Sequence, residues 1–162
     1  MMKYDIVEIS RLSGAKAHIY SIRLEGEQKT LLDVFFDENK NEYNDELNKI
    51  AKKLLVMGHK TGSQDYYFKE GEGNLGDGIC ALRMGRLRLY CIRYSNTTLI
   101  IGSGGYKPAT ARTYQEVPKL NGIMEQLKNI AAEINQKLRD KDWKIDEDGV
   151  LTLENYENEE YW

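Results

Sequence analysis

ICALRMGRLRLYCIRYSNTTLIIGSGGYK, residues 79–107, is the stretch that decides the fold. Three apolar, β-prone runs follow one another in it, over 79–84, 86–94 and 97–102. Gly85 separates the first pair and Ser95-Asn96 the second, and short hairpin turns use such residues. The pattern predicts an antiparallel meander of three strands. Alternate residues of a strand share a face. Arg86, Arg88 and Tyr90 therefore lie on one side of the second strand, with Leu87, Leu89 and Cys91 on the other, toward helices. Arg93 joins the second side by strict alternation. The run Gly102-Ser103-Gly104-Gly105 is expected to break the third strand.

Upstream, residues 62–77 read as loop, with a short strand over 66–68 and flexibility at Gly71, Gly73, Gly76 and Gly78. No GK[ST] sequence ends this stretch, which excludes a phosphate-binding loop. A helix is expected over 42–57. Tyr43, Leu47, Ile50, Leu54 and Met57 recur at spacings of three and four and share its core face. Asn41 is its candidate N-cap and Gly58 its stop. Before it lie β-prone runs over 4–9, 16–24 and 30–36. The last two flank Glu25-Gly26-Glu27 and are expected to pair as a hairpin. Downstream, Pro118 opens a helix to about Asp140, with Leu120, Ile123, Leu127, Ile130, Ile134 and Leu138 on its apolar face. A small hairpin around Asp148-Gly149 is expected over 143–153. The fold class is α+β: an antiparallel meander sheet packed against helices, with an extra N-terminal hairpin and an acidic C-terminal tail. A length of 162 residues suits one domain, assigned to 1–153, with residues 154–162 as a loose tail.

Hydrophobic residues make up 41% and charged residues 30% of the chain, enough for a packed core and against disorder throughout. Cys80 and Cys91 sit in apolar strands and read as buried, reduced thiols. No Cys/His cluster suggests a metal and no cofactor is implied. The first residues lack an apolar signal-peptide core. No apolar run approaches the roughly 20 residues that span a membrane, so the expected compartment is the cytoplasm. The net charge of −3 divides unevenly, −7 over 142–162 and +4 over 1–141. The acidic end is either a solvated terminus or a reversible cover. In the second case the acids of residues 154–162 would face arginines, while Tyr156, Tyr161 and Trp162 cover tyrosines.

The residues that carry chemistry concentrate in the meander: Arg83, Arg86, Arg88, Tyr90, Arg93, Tyr94, Tyr106 and Lys107. Guanidinium groups bind phosphate in bidentate fashion, and tyrosine stacks on unpaired bases. Arg86, Arg88 and Tyr90 thus form a cationic and aromatic strip on an open sheet face, either an RNA-facing surface or a solvated one. His18 and His59 lie outside the meander and read as surface or hydrogen-bonded residues.

The stretch GDGICALRMGRLRLYCIRYSNTTLIIGSGGYKP, with the helices on either side, resembles the core of RelE/HigB toxins over roughly residues 42–135. That family shows a helix, a Gly-rich approach, an LYELR strand, an R-x-R-x-x-Y/F strand, an I-x-L-L-H-G-F-x-K strand and a final helix. The parallels here are residues 79–83, 86–90 and 99–107. The family's H-G-F-x-K-K end is replaced by Gly102-Ser103-Gly104-Gly105-Tyr106-Lys107-Pro108, with no histidine and one lysine. The resemblance implies a toxin that cuts mRNA, usually on the ribosome, without a metal, and that a partner antitoxin holds inactive. It implies that Arg83 and Arg88 hold phosphate, that Lys107 stabilises charge or acts as a base, and that Tyr90 or Tyr106 stacks on a base. Arg86 joins them as an RNA-binding residue. The alternative is a non-catalytic member of the same fold that binds a protein partner or nucleic acid.

Overall fold

The computed structural model describes residues 3–69 and 75–153. The tail assigned to residues 154–162, and its covering role, lie outside the described residues.

The N-terminal hairpin forms from different partners than the sequence suggests. Strand β1 (Tyr4–Glu8) pairs antiparallel with β2 (His18–Leu24), with Ile6 opposite Ile22. The run after Gly26 is a helix instead, α1 (Leu31–Asn39). Thr30 decides this. Its hydroxyl accepts from the Asp33 amide at 3.2 Å, and the Asp33 carboxylate accepts from the Thr30 amide at 3.2 Å. This reciprocal capping box satisfies two amides that a helix start leaves orphaned, and it overrides the β propensity of Val34, Phe35 and Phe36. Next come α2 (Asn44–Val56), a π-helical turn (Met57–Thr61) and a 3₁₀ turn (Asp65–Phe68) where a short strand was expected. Tyr43, not Asn41, occupies the cap position of α2 and makes no side-chain cap bond.

The meander is present as β3 (Ile79–Met84), β4 (Leu87–Ser95) and β5 (Thr98–Tyr106), followed by α3 (Pro118–Arg139) and a small hairpin of β6 (Lys144–Ile145) and β7 (Leu151–Thr152). The glycine run does not break β5, which continues through it to Tyr106. A register irregularity between Leu89 and Cys91 absorbs the extra residue on β5 opposite Tyr90. The main sheet has the order β1-β2-β5-β4-β3. It is mixed, not wholly antiparallel, because β2 runs parallel to β5 with Tyr20 beside Ile100. The connection between this parallel pair runs through α1, α2 and then β3 and β4, the long crossover that parallel strands require.

Both sheet faces are covered. On one, Ile19, Leu89, Cys91, Leu99 and Ile101 pack against Phe35 of α1 and Leu47, Ile50 and Leu54 of α2. On the other, Ile22, Tyr90, Ile92 and Ile100 pack against Leu120, Met124, Leu127, Ile130 and Ile134 of α3. Each large side chain fully buried in this way contributes about 1.5–3 kcal/mol. The glycines let α3 come close: a Cβ on Gly102 would lie 3.2 Å from both Leu127 methyls and 3.1 Å from the Tyr90 carbonyl oxygen. Among the described residues no helix is long and apolar enough to cross a membrane.

The Thr30→Ala variant should lose about 1 kcal/mol of stability in urea titration, and Thr30→Ser should keep most of it.

Candidate nucleic-acid interface

Three chain segments meet where β3 ends, β4 begins and β5 ends. The turn between β3 and β4 needs a left-handed residue, and Gly85 supplies it at φ +58°. Register then places Arg83 opposite Arg88, Arg88 opposite Gly105 and Leu87 opposite Tyr106. The Lys107 amide donates to the Arg86 carbonyl at 2.8 Å. Five of the six residues selected from the sequence (Arg83, Arg86, Arg88, Tyr106 and Lys107) therefore share one end of the sheet.

They differ in access to solvent. Arg83 and Arg86 are exposed. Arg88 is 3% exposed, and its Nη1 donates to the carbonyls of Gly85 at 2.9 Å and Leu87 at 3.0 Å. It thus clamps the turn that presents Arg86. Lys107 is 8% exposed. Tyr106 is 43% exposed and stacks on Tyr43, with ring centroids 5.6 Å apart and planes at 19°.

Tyr90 corrects the expectation of an open sheet face. It is 0% exposed and meets Tyr114 edge-on at 6.1 Å. Alternation places Tyr90 on the predicted side of β4, but α3 covers that face, so Tyr90 has no surface on which a base could stack in this arrangement. The same cover takes in Arg88. Arg93 lies on the α2 side, as alternation predicts, and its Nε donates to the Ser63 carbonyl at 2.7 Å.

Helix ends border the site. A Cβ on Gly105 would lie 3.4 Å from Leu120 and 3.9 Å from the Lys119 side chain, which places the first turn of α3 beside β5. That helix start carries no side-chain cap, and its partial positive charge adds to that of the arginines. On the other side, a Cβ on Gly85 would lie 3.7 Å from Glu46 Cγ of α2. Burial, with Glu42, Tyr106 and Glu46 nearby, raises the Tyr43 phenol above its ordinary pKa. The helical stripe predicts Tyr43 as a core residue, and it is half-buried at the rim instead. Its place at the first turn of α2, where a helix begins and the stripe ends, was the available signal for a role at the rim.

Elsewhere, His18 Nδ1 lies 2.6 Å from the Glu8 carboxylate and His59 Nε2 lies 3.1 Å from the Arg11 carbonyl, and His18 pairs with Thr98 at the end of β5 opposite to Tyr106. Cys80 and Cys91 are free thiols directly opposite each other on β3 and β4. Burial pushes Cys80 up to about 12 and Cys91 well above the ordinary thiol range. Among the described residues no group of three or more His, Cys, Asp or Glu side chains is placed to hold a metal ion.

Compared with models of known families, with curated proteins and with solved structures, the chain matches none.

Two predictions follow from this geometry. Arg88→Ala should cost about 2 kcal/mol, the scale of buried hydrogen bonds from a charged donor. Arg83→Ala should stay within about 0.5 kcal/mol of the parent protein; urea unfolding of both variants measures the contrast. The thiols set an alkaline limit. An unfolded thiol ionises from its ordinary value of 9.0, whereas folded Cys80 keeps its proton to about 12. Stability should therefore be full below the first value and fall as pH rises toward the second. The raised phenols of Tyr20 and Tyr94 act in the same direction. Melting temperatures measured at successive pH values test this.

Proposed function

We propose that this chain is an mRNA-cleaving toxin of RelE/HigB type, held inactive by an antitoxin protein and working on ribosome-bound mRNA. The observation that carries the reading is the cationic end of the meander. Three adjacent strands bring Arg83, Arg86, Arg88 and Lys107 together around one glycine turn. The order α2, β3, β4, β5, α3 is also the order of elements in the family that the sequence resembles.

The chemistry is attack of an RNA 2′-hydroxyl on the adjacent phosphorus. A new P–O2′ bond forms, the P–O5′ bond breaks, and the products are a 2′,3′-cyclic phosphate and a 5′-hydroxyl. A proton leaves the 2′-oxygen and one arrives at the 5′-oxygen. The transition state gathers negative charge, which fixed cations at the site stabilise. Arg83 and Arg86, which reach solvent, hold the phosphate. Lys107 faces the developing charge, Arg88 fixes the turn, and Tyr106 stacks on a base.

A second reading has its own support. Arg88 is buried with its Nη1 on backbone carbonyls, and Tyr90 is inside the core. A non-catalytic member of the same fold, binding a protein or nucleic acid, would need neither residue exposed.

Induced expression in a bacterial host separates the two. Wild type should arrest growth, and Arg83→Ala/Arg86→Ala, which alters only exposed residues, should relieve the arrest while remaining folded. If the folded, expressed wild type leaves growth unchanged, the toxin reading is wrong and the binding reading stands.

A further inference from the structure

A second cationic surface lies along α2, away from the meander turn. Residues 47–64 contain no acid, and neither do residues 9–24. Lys49, Lys52, Lys53 and Val56 follow at helical spacings that share one face, and Lys60 continues the line on the π-helical turn. From Lys49 to Lys60 the line runs about 16 Å at the helical rise per residue. Folding adds two more cations at its far end. The amides of Lys16 and Ala17 donate to the Gly58 carbonyl at 2.9 and 3.1 Å, which holds the loop carrying Arg11 and Lys16 against the helix end. Gly58 permits this approach, since a Cβ there would fall on the Leu12 carbonyl oxygen.

The surface concentrates cations in an acid-free stretch. Four basic groups elsewhere pair with carboxylates: Lys29 and Lys40 with Asp37, Arg23 with Asp5, Lys119 with Glu38. Among the described residues, no such pair involves Arg11, Lys16, Lys49, Lys52, Lys53 or Lys60. Six cations that form no such pair, in a chain of net charge −3, mark a surface for a polyanion, although Asp45 and Glu46 precede Lys49 by one turn.

Aromatic groups stand at the end of the line. The Tyr67 hydroxyl lies 2.8 Å from Thr61 Oγ1, next to Lys60. Tyr66 packs on Tyr67 with centroids 4.7 Å apart and is 53% exposed. A phosphate-tracking row of lysines ending at an exposed tyrosine suits a single strand, whose unpaired bases can stack. The opposite end of α2 carries Tyr43 and Glu46 beside the Gly85 turn.

We infer that the outer face of α2 is a binding track for single-stranded RNA, with Lys49, Lys52, Lys53 and Lys60 on successive phosphates and Tyr66 stacked on a base. The track rests on the proposed reading as a second contact for the same RNA, separated from the meander turn by Asp45 and Glu46 in the first turn of α2. It is read by binding alone, so absence of cleavage leaves it intact and absence of binding leaves the growth assay to stand by itself.

The test is fluorescence anisotropy of a labelled single-stranded RNA of about twelve nucleotides with the full chain, over a range of salt. Affinity should fall steeply with salt, with a log–log slope of about 0.7 per phosphate neutralised. Replacing all four lysines with glutamine should lower that slope by about 3, and Tyr66→Ala should weaken binding about tenfold without changing it. Circular dichroism and melting temperature confirm that both variants are folded. The inference is overturned if the folded lysine variant binds like wild type, if Tyr66→Ala has no effect, or if a duplex of the same sequence binds more tightly. Preference for polyglutamate over RNA would likewise overturn it, in favour of an acidic protein partner.

Discussion

The structure depends on β5 being buried on both faces while it joins two halves of the chain. Eight of its nine residues are buried. It bonds in parallel to β2 on one side and antiparallel to β4 on the other, so the N-terminal hairpin and the meander become one sheet. Residues 99–101 supply the apolar contacts to both helical layers. The glycines that follow supply something different, an absence of side chains. A Cβ on Gly104 would fall on the Arg88 carbonyl oxygen, and one on Gly102 would press on Leu127. Glycine therefore sets the spacing at which α3 lies over the sheet.

That spacing shapes the site. With α3 over the face that carries Arg88 and Tyr90, the cationic strip shrinks to the sheet end, where Arg83, Arg86 and Tyr106 emerge around the Gly85 turn and Lys107 lies buried beside them. Arg88 becomes the residue that holds the turn. Loss of function in an Arg88 variant would report on the turn as much as on phosphate binding, whereas Arg83 and Arg86 report on the surface. Electrostatics divide in the same way. Carboxylate pairs hold Arg23, Lys29, Lys40 and Lys119, and basic side chains gather at the meander end and along α2.

Much of the fold was legible because it is local. The strand of residues 79–84 and the helix opened by Pro118 follow from periodicity and punctuation within a few residues. What was not legible depends on residues distant in sequence. Thr30 to Phe36 has β-prone composition, and the capping pair Thr30 and Asp33 outweighs it. Run by run, nothing in residues 18–24 indicates a parallel partner eighty residues away. Strict alternation put Arg88 and Tyr90 on the correct face, but alternation does not say what covers a face. The glycines of β5 suggest a break because their conformational freedom is a local property, while their use here is close packing against another element. The lysine row was visible as an acid-free stretch. The apolar stripe of the same helix explains the segment's helical pattern without it.

The measurement that bears most directly on the central claim is end-group analysis of a defined mRNA incubated with the purified chain, with and without ribosomes. The account predicts new 5′-hydroxyl ends paired with 2′,3′-cyclic phosphates, and no cut where the nucleotide before the scissile bond carries a 2′-deoxyribose. Intact RNA under both conditions, or cutting that persists at the 2′-deoxy position, would contradict it.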